Sequence, residues 1–290
     1  RPYPLKKRNY KKFLSKNELF EFLESNTELG RASSETSWIV HLGACSSTTE
    51  TNWEFLYENN TQYSQKIAQW CKAHSVGLIY ASSAATYGDG QMGFDDQTDS
   101  KLLRPLNLYG ESKVQFDRWL MEQSQRPPQW YGLKFFNVYG PNEYHKGEQS
   151  SVVYKAHQQI KQTNKLKLFK SYRPEYKDGM QLRDFVYVKD VVRWIFELMQ
   201  IQPESGIYNM GFGQARSWVD LANSTFSAMN RPSNIEFIEM PNDIRSHYQY
   251  FTEAKMSKWL QAGLSKPEWS LEQGVQDYIQ NYLIHEDQHL

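Results

Sequence analysis

Two short stretches in the middle third of the chain carry residue types that could move a hydride on and off a carbon bearing a hydroxyl group. The first, Tyr80-Ala-Ser-Ser-Ala-Ala-Thr-Tyr-Gly88, follows an apolar run, and the second contains Tyr109 and Lys113. Residues four apart share one helix face, so the phenol and the ammonium lie together. The positive charge is expected to favour the phenolate and lower the pKa of Tyr109 from about 10. Tyr109 would then exchange a proton with a substrate alcohol while a serine hydroxyl of the first stretch bonds the same oxygen.

The elements that position these residues alternate between strand and helix. Apolar runs predict strands at 38–42, 76–82 and 130–136, separated by helices at 53–74 and 108–123. Such alternation indicates a parallel sheet covered by helices on both faces. A possible capping box at Ser15 and Glu18 predicts an earlier helix that ends near Ser25.

Beyond Pro141 the predicted elements become shorter. We expect strands at 167–169, 183–188, 207–210 and 235–240. We expect helices at 151–162, 191–200, 218–229 and 270–282. This second part is interpreted as a substrate-binding subdomain packed on the first.

Composition excludes several classes of partner. The 290 residues include 33 basic and 33 acidic side chains, and this balance gives no indication of a nucleic-acid groove or an anionic membrane partner. No apolar run approaches the roughly 18 residues that span a bilayer. Two cysteines are too few for a disulfide framework and favour a cytoplasmic location. The histidines show no metal-ligand spacing.

Several sequence motifs together resemble a known family. They are His41-Leu-Gly-Ala-Cys-Ser-Ser-Thr-Thr-Glu50, the serine stretch above, Phe136-Asn-Val-Tyr-Gly-Pro141, His145-Lys-Gly147, Arg183-Asp-Phe-Val-Tyr-Val188 and Tyr248-Gln-Tyr-Phe-Thr252. In this order they resemble the nucleotide-sugar branch of the extended short-chain dehydrogenase/reductases. Within that branch they are most similar to the ADP-L-glycero-D-manno-heptose 6-epimerases, from about Leu14 to Tyr282.

The resemblance implies an activity and its partners. The expected reaction inverts C6 of an ADP-linked heptose for the lipopolysaccharide inner core, through a transient ketone. The expected cofactor is NADP, with NAD also possible, and the expected assembly is a homo-oligomer, by resemblance a pentamer. The oxygen of the inverted carbon ends on the opposite side of the site, so one fixed acid cannot serve both positions.

The resemblance also implies roles for individual residues. Tyr109 would be one acid/base, supported by Lys113 and Ser83, and Lys146 would be the second. Residues expected at the cofactor are Lys16, Gly43, Ala44, Cys45, Ser46, Asn59, Lys113, Val138 and Lys146. Residues expected at the nucleotide sugar are Ser83, Asn137, Phe169, Lys170, Ser171, Tyr172, Arg183 and Tyr248. The Arg183 guanidinium would suit a diphosphate because it can bind two oxygens at once.

The glycine-rich loop of dinucleotide-binding folds is missing before Trp38, where Gly30 stands alone. We therefore expect a Rossmann-like doubly wound sheet that lacks its first strand, glycine loop, helix and second strand. Residues 1–140 would form this incomplete domain, about 182–213 would return to it, and 141–290 would mainly bind the nucleotide sugar. Because position 1 is Arg1 rather than methionine, the chain is interpreted as truncated, with weak cofactor binding and little turnover.

Three departures from the family pattern affect sugar contacts. Leu42 replaces a glutamate, Glu148 a serine, and Lys155 a histidine, for which His157, two positions away, is the expected substitute. An alternative structural role for Arg183 is an ion pair with Asp184.

Two other functions remain open at this point. One is a different nucleotide-sugar epimerase or a dehydratase, although a dehydratase would need a carboxylate near Thr86, where Ala84 and Ala85 offer none. Lys146 also favours inversion of a side-chain carbon, because epimerases that act on a ring carbon need only the tyrosine. The other is a non-catalytic module that binds the sugar nucleotide.

Overall fold

The computed structural model describes residues 13–25, 38–245 and 248–285; Arg1 and Gly30 lie outside them. The strands are β1 (Trp38–His41), β2 (Gly77–Ser83), β3 (Trp130–Phe135), β4 (Asn137–Tyr139), β5 (Leu166–Phe169), β6 (Leu182–Tyr187), β7 (Gly206–Met210), β8 (Ala215–Ser217) and β9 (Ile235–Ile238). The helices begin with α1 (Leu19–Ser25) and continue with α2, which joins Trp53–Leu56, a π-helical turn at Tyr57–Gln62, and Tyr63–Ala73. They then run through α3 (Leu108–Glu122), α4 (Val152–Thr163), α5 (Val188–Ile201), α6 (Trp218–Ala228), α7 (Asn242–Arg245), α8 (Ser257–Gln261) and α9 (Leu271–Tyr278).

The main sheet has four parallel strands in the order β1-β2-β3-β7. Successive side chains of a strand point to opposite faces, and both faces of β2 are covered. Leu78 packs with residues of α2 and α3, whereas Ile79 packs with Trp194 of α5 and Trp259 of α8. This arrangement confirms the predicted α/β fold with helices on both faces. Within the described residues β1 is an edge strand, and its Val40 is 39% exposed.

Smaller sheets lie in the second part of the chain. β4 pairs with β6 in parallel, β6 pairs with β8 antiparallel, and β5 pairs with β9 in parallel. A separate apolar cluster joins these strands to α4, α6 and α9 through residues such as Ile160, Phe226 and Val275. β6 connects the two parts, because α5 follows it directly and packs against the main sheet.

Candidate active site

Ser83 and Tyr109 meet where the carboxyl end of β2 approaches the first turn of α3. Ser83 ends β2 and caps the next turn by accepting a hydrogen bond from the Ala85 N–H at 3.1 Å. Asn107 caps α3 by accepting from the Gly110 N–H at 2.7 Å. A Cβ at Gly110 would lie 2.8 Å from the Ala85 carbonyl oxygen, so glycine permits this close approach. The side chains of Tyr109 and Ser83 are consequently hydrogen-bonded.

The pKa of Tyr109 is shifted in the opposite direction to the sequence expectation, and the pKa of Lys113 is shifted as well. Burial raises the pKa of Tyr109, and the hydrogen bond with Ser83 offsets only part of that rise. The predicted lowering of the Tyr109 pKa by Lys113 is therefore wrong for this structure. The Lys113 Nζ donates to the Ala81 carbonyl at 2.9 Å and lies 5.9 Å from the centre of the Tyr109 ring. Burial also lowers the pKa of Lys113 to about 8.

Lys146 reaches the same space as Ser83 and Tyr109 from another element. A cavity of about 1030 Å³, hereafter the large cavity, is lined by all three side chains. Lys146 belongs to a short 3₁₀ turn, Tyr144–Gln149, and is exposed. Two groups able to move protons thus face one cavity from separate parts of the fold.

Arg183 lies in the large cavity between two aromatic rings. Its guanidinium carbon is 5.1 Å from the centre of the Tyr248 ring and 5.6 Å from that of Trp218. The Trp218 Nε1–H donates to the Tyr248 hydroxyl at 2.8 Å, which fixes the two rings together. Asp184 instead accepts from backbone N–H groups of Phe212, Gly213 and Ala254. The alternative Arg183–Asp184 ion pair is therefore wrong.

A second cavity of about 680 Å³, hereafter the small cavity, adjoins the loop after β1. Six of the residues expected at the cofactor line it: Lys16, Gly43, Ala44, Cys45, Ser46 and Asn59. The π-helical turn of α2 places Asn59 against the Lys16 ammonium. Asn60, also in that turn, bonds the backbone N–H of Cys45 at 2.8 Å and its carbonyl at 3.0 Å.

The residues of the small cavity fit part of a dinucleotide. The position that a Cβ would occupy at Gly43 has no atom within 4 Å, so the backbone is open to a ligand there. His41 also lines the cavity, bonds Ser64 at 3.0 Å and has its pKa lowered to about 4 by burial and by nearby Lys113. A neutral imidazole and an open backbone suit a flat, partly apolar ring. No group of three or more possible metal-ligating residues occurs in the described part of the chain.

The remaining residues predicted at the cofactor and at the sugar differ in whether they line one of the two cavities. Lys113 is buried and lines neither cavity, and Val138 lines the large one. Asn137 also lines the large cavity. Four residues at the end of β5 and in the loop after it line neither: Phe169, Lys170, Ser171 and Tyr172. They stay close to the site through Phe169, whose ring centre is 6.5 Å from that of Tyr248.

The departures from the family pattern are partly explained by their contacts. Glu148 and Lys155 form an ion pair with a nitrogen–oxygen distance of 3.5 Å, so two departures contact each other. His157 is 3% exposed, lines neither cavity and has an Nδ1 atom without a hydrogen-bond partner. It does not take the place of a substrate-side histidine here.

Sequence reasoning missed three residues of the site. Trp218 supports Arg183, Asn60 holds the loop after β1, and Gln149 lines both cavities. Trp218 was assigned only to a helix, although its place at the start of α6 brings it beside β6. No sequence signal distinguishes Asn60 or Gln149, because their contacts depend on the π-helical turn and on chain segments about 100 residues apart.

The parallel sheet and the serine, tyrosine and lysine at its carboxyl edge define an extended short-chain dehydrogenase/reductase. Residues 21–211 match the model of the NAD dependent epimerase/dehydratase family, and the chain belongs to that family. Similar proteins indicate a more specific class of enzyme within that family. The ADP-L-glycero-D-manno-heptose-6-epimerase of Fusobacterium nucleatum is 46% identical over 99% of this chain and 88% of its own length.

Two further comparisons agree. The enzyme of the same name from Nitratidesulfovibrio vulgaris strain Hildenborough is 49% identical over 87% of this chain and 78% of its own length. The crystal structure of the Helicobacter pylori ADP-L-glycero-D-manno-heptose-6-epimerase superimposes with a TM-score of 0.73 at 28% identity, covering 92% of this chain and 77% of that chain. These relatives confirm the resemblance that the sequence motifs indicated. In the described residues no helix is long and apolar enough to cross a membrane.

Proposed function

We propose that this chain inverts C6 of ADP-D-glycero-D-manno-heptose to give the L-glycero epimer, by oxidation to a ketone and re-reduction with bound NADP. The observation that carries the proposal is that Ser83 and Tyr109 on one side and Lys146 on another line the same cavity. Two relatives named ADP-L-glycero-D-manno-heptose-6-epimerase, at 46% and 49% identity, support the choice of substrate.

Separate residues would contact the substrate oxygen in its two orientations and bind the diphosphate. Tyr109 and Ser83 would hold the substrate oxygen in one orientation, and Tyr109 would exchange its proton. After the ketone turns, Lys146 would serve the oxygen on the other side. Arg183, held between Tyr248 and Trp218, would bind the diphosphate. A nicotinamide cofactor held near the loop after β1 by residues such as Lys16, Ser46 and Asn59 would supply the hydride acceptor and donor for C6.

The raised pKa of Tyr109 has a consequence for this scheme. A buried neutral phenol is well suited to donate a proton, so Tyr109 is proposed as the acid for one ketone orientation. Microscopic reversibility then makes the same residue the base when that epimer is oxidised.

The alternatives fit the cavity less well. Among the described acidic residues that line it, Glu50 accepts from the backbone N–H groups of Thr51 and Asn52. Glu143 accepts from Ser151 and from the Tyr278 hydroxyl. Neither carboxylate is placed to remove a proton beside a ketone, as a dehydratase would need. A binding module alone would not require the hydrogen-bonded Ser83–Tyr109 pair.

We further propose that the protein acts in the cytoplasm as a homo-oligomer and supplies the lipopolysaccharide inner core. Both cysteines, Cys45 and Cys71, are free thiols, as expected of a reducing compartment.

The test is to incubate the purified protein with ADP-D-glycero-D-manno-heptose and either NADP or NAD. Proton NMR should show the C6 epimer accumulating to equilibrium, with NADP more effective than NAD. Lys146→Met and Tyr109→Phe should each lower kcat by roughly 100-fold or more. A product that has lost water, or substrate that binds without any turnover, would refute the proposal.

A further inference from the structure

We propose that Gln149 positions Lys146 by bonding Ser46 across the boundary between the two cavities. This inference rests on the proposed function, because it assigns a purpose to the placement of the second acid/base. Gln149 is not a catalytic residue in this account, because its carbonyl oxygen contacts Ser46 and not the reacting atoms.

The bond joins two distant parts of the chain. The Ser46 hydroxyl donates to the Gln149 Oε1 atom at 2.7 Å, and the residues are 103 positions apart. Ser46 belongs to the loop after β1, and Gln149 ends the short turn that carries Lys146. Both residues line both cavities. The bond therefore lies at the boundary between the large and the small cavity.

The turn is firmly held at its first residues and at the helix that follows. Glu143, 6% exposed, accepts from the backbone N–H and the hydroxyl of Ser151 at 2.6 Å each, and from the Tyr278 hydroxyl at 2.9 Å. Ser150 donates to the Gly147 carbonyl at 2.7 Å. These contacts fix the base of the turn on α4 and α9.

The part of the turn that carries the chemistry is less constrained. Lys146 is exposed, and Gly147 has a φ of +53°, a backbone conformation that glycine adopts without a steric penalty. The Glu148–Lys155 ion pair is exposed to solvent and contributes little rigidity. The bond to Ser46 therefore supplies the link that fixes the turn relative to the cofactor side of the site. A displacement of about 1 Å at a reacting group can lower a rate by roughly 100-fold.

Because the bond holds the turn that carries Lys146, its loss should slow the oxidation of one epimer and not of the other. One epimer is oxidised with Tyr109 as the base and the other with Lys146. Loss of the bond should move Lys146 and leave Tyr109, Ser83 and Arg183 in place. A purely structural role for Gln149 would slow both oxidations alike.

The experiment compares Gln149→Met, which keeps the side-chain length and removes the oxygen, with Ser46→Ala and the double variant. Gln261→Met is the matched control, since Gln261 is exposed on α8 and lines neither cavity. Single-turnover reduction of the bound nicotinamide is followed at 340 nm from each epimer, at saturating nucleotide. For Gln149→Met we expect about a tenfold slower reduction from one epimer and less than a twofold change from the other, and for Ser46→Ala we expect the same ratio between the two epimers. The double variant should be no slower than the slower single variant.

A second readout does not depend on turnover. Amide hydrogen exchange in the peptide 144–151 should accelerate in both single variants and stay unchanged in Gln261→Met. Equal slowing from both epimers, additive defects, or unchanged exchange would overturn the inference. If the unmodified protein epimerises nothing, the proposed function fails, and the exchange measurement still decides whether Gln149 holds the turn.

Discussion

Replacing Lys134 with methionine should destabilise the protein far more than removing a surface lysine that makes an ion pair of the same length. Lys134 and Asp117 form a pair at 3.0 Å, with the side chains only 2% and 0% exposed. Asp117 also accepts from the Tyr80 hydroxyl at 2.9 Å and from the Ser82 hydroxyl at 2.7 Å. Lys134 donates in addition to the Thr86 hydroxyl at 2.5 Å.

The expected loss in the free energy of unfolding follows from the buried carboxylate that Lys134→Met leaves without a positive partner. Asp117 would keep two hydroxyl donors and lose its positive partner in a fully buried site. Breaking a buried pair in this way costs about 3–5 kcal/mol. Asp117→Asn should cost about 3 kcal/mol, because the buried ammonium loses its negatively charged partner while it keeps its contacts with Thr86 and the Tyr87 ring. The double variant removes both charges and should cost only about 1–3 kcal/mol, from hydroxyls left poorly paired.

Urea unfolding monitored by tryptophan fluorescence gives the free energy of unfolding of each variant. Lys101→Met is the matched control, because Lys101 pairs with Glu122 at the same 3.0 Å but with side chains 61% and 55% exposed. It should leave stability unchanged within error. If Lys134→Met behaves like Lys101→Met, or if the double variant is as unstable as the two single variants added together, the reasoning is refuted.

Three further predictions test the site and its surroundings. Tyr109→Phe should lower kcat by roughly 100-fold or more while ADP binding, measured by calorimetry, stays within twofold. Arg183→Lys should weaken ADP binding about tenfold or more in the same assay, because lysine loses the bidentate contact and the stacking on two rings. Burial lowers the pKa of His157 to about 4 from 6.5, so the unfolded state binds its proton first and stability falls as pH drops through that window. His157→Leu should flatten this decline in urea titrations between pH 7 and 4, whereas His285→Gln, at an exposed position, should not.

The long elements of the fold could be predicted because hydrophobic periodicity is a local signal. The strand predicted at 130–136 is found at Trp130–Phe135, and the helix predicted at 108–123 is found at Leu108–Glu122. The three-residue strands β4 and β8 were missed because a period of two cannot be recognised over three residues. The π-helical turn within α2 was missed because it leaves the apolar pattern of the helix unchanged.

The residues of the site were easier to predict from the sequence than their pKa values. The family motifs place Ser83, Tyr109 and Lys146 in the sequence, and the fold brings them to one cavity. The pKa of Tyr109 depends instead on how deeply α3 and β2 bury it, which helical spacing alone does not reveal. The predicted effect of Lys113 assumed an ammonium beside the phenol, whereas the buried ammonium donates to the Ala81 carbonyl.

The segment around the second acid/base shows how departures from a family pattern can depend on each other. Glu148 and Lys155 are separate departures from the family pattern in the sequence, yet they form an exposed ion pair with each other in the structure. Gln149, next to Glu148, makes the inner contact with Ser46. Because the exposed pair contributes little rigidity, the position of Lys146 depends mainly on the inner contact. Exchanging both Glu148 and Lys155 for the family residues should therefore change amide hydrogen exchange in the peptide 144–151 less than Gln149→Met does, and an equal change would contradict this reasoning.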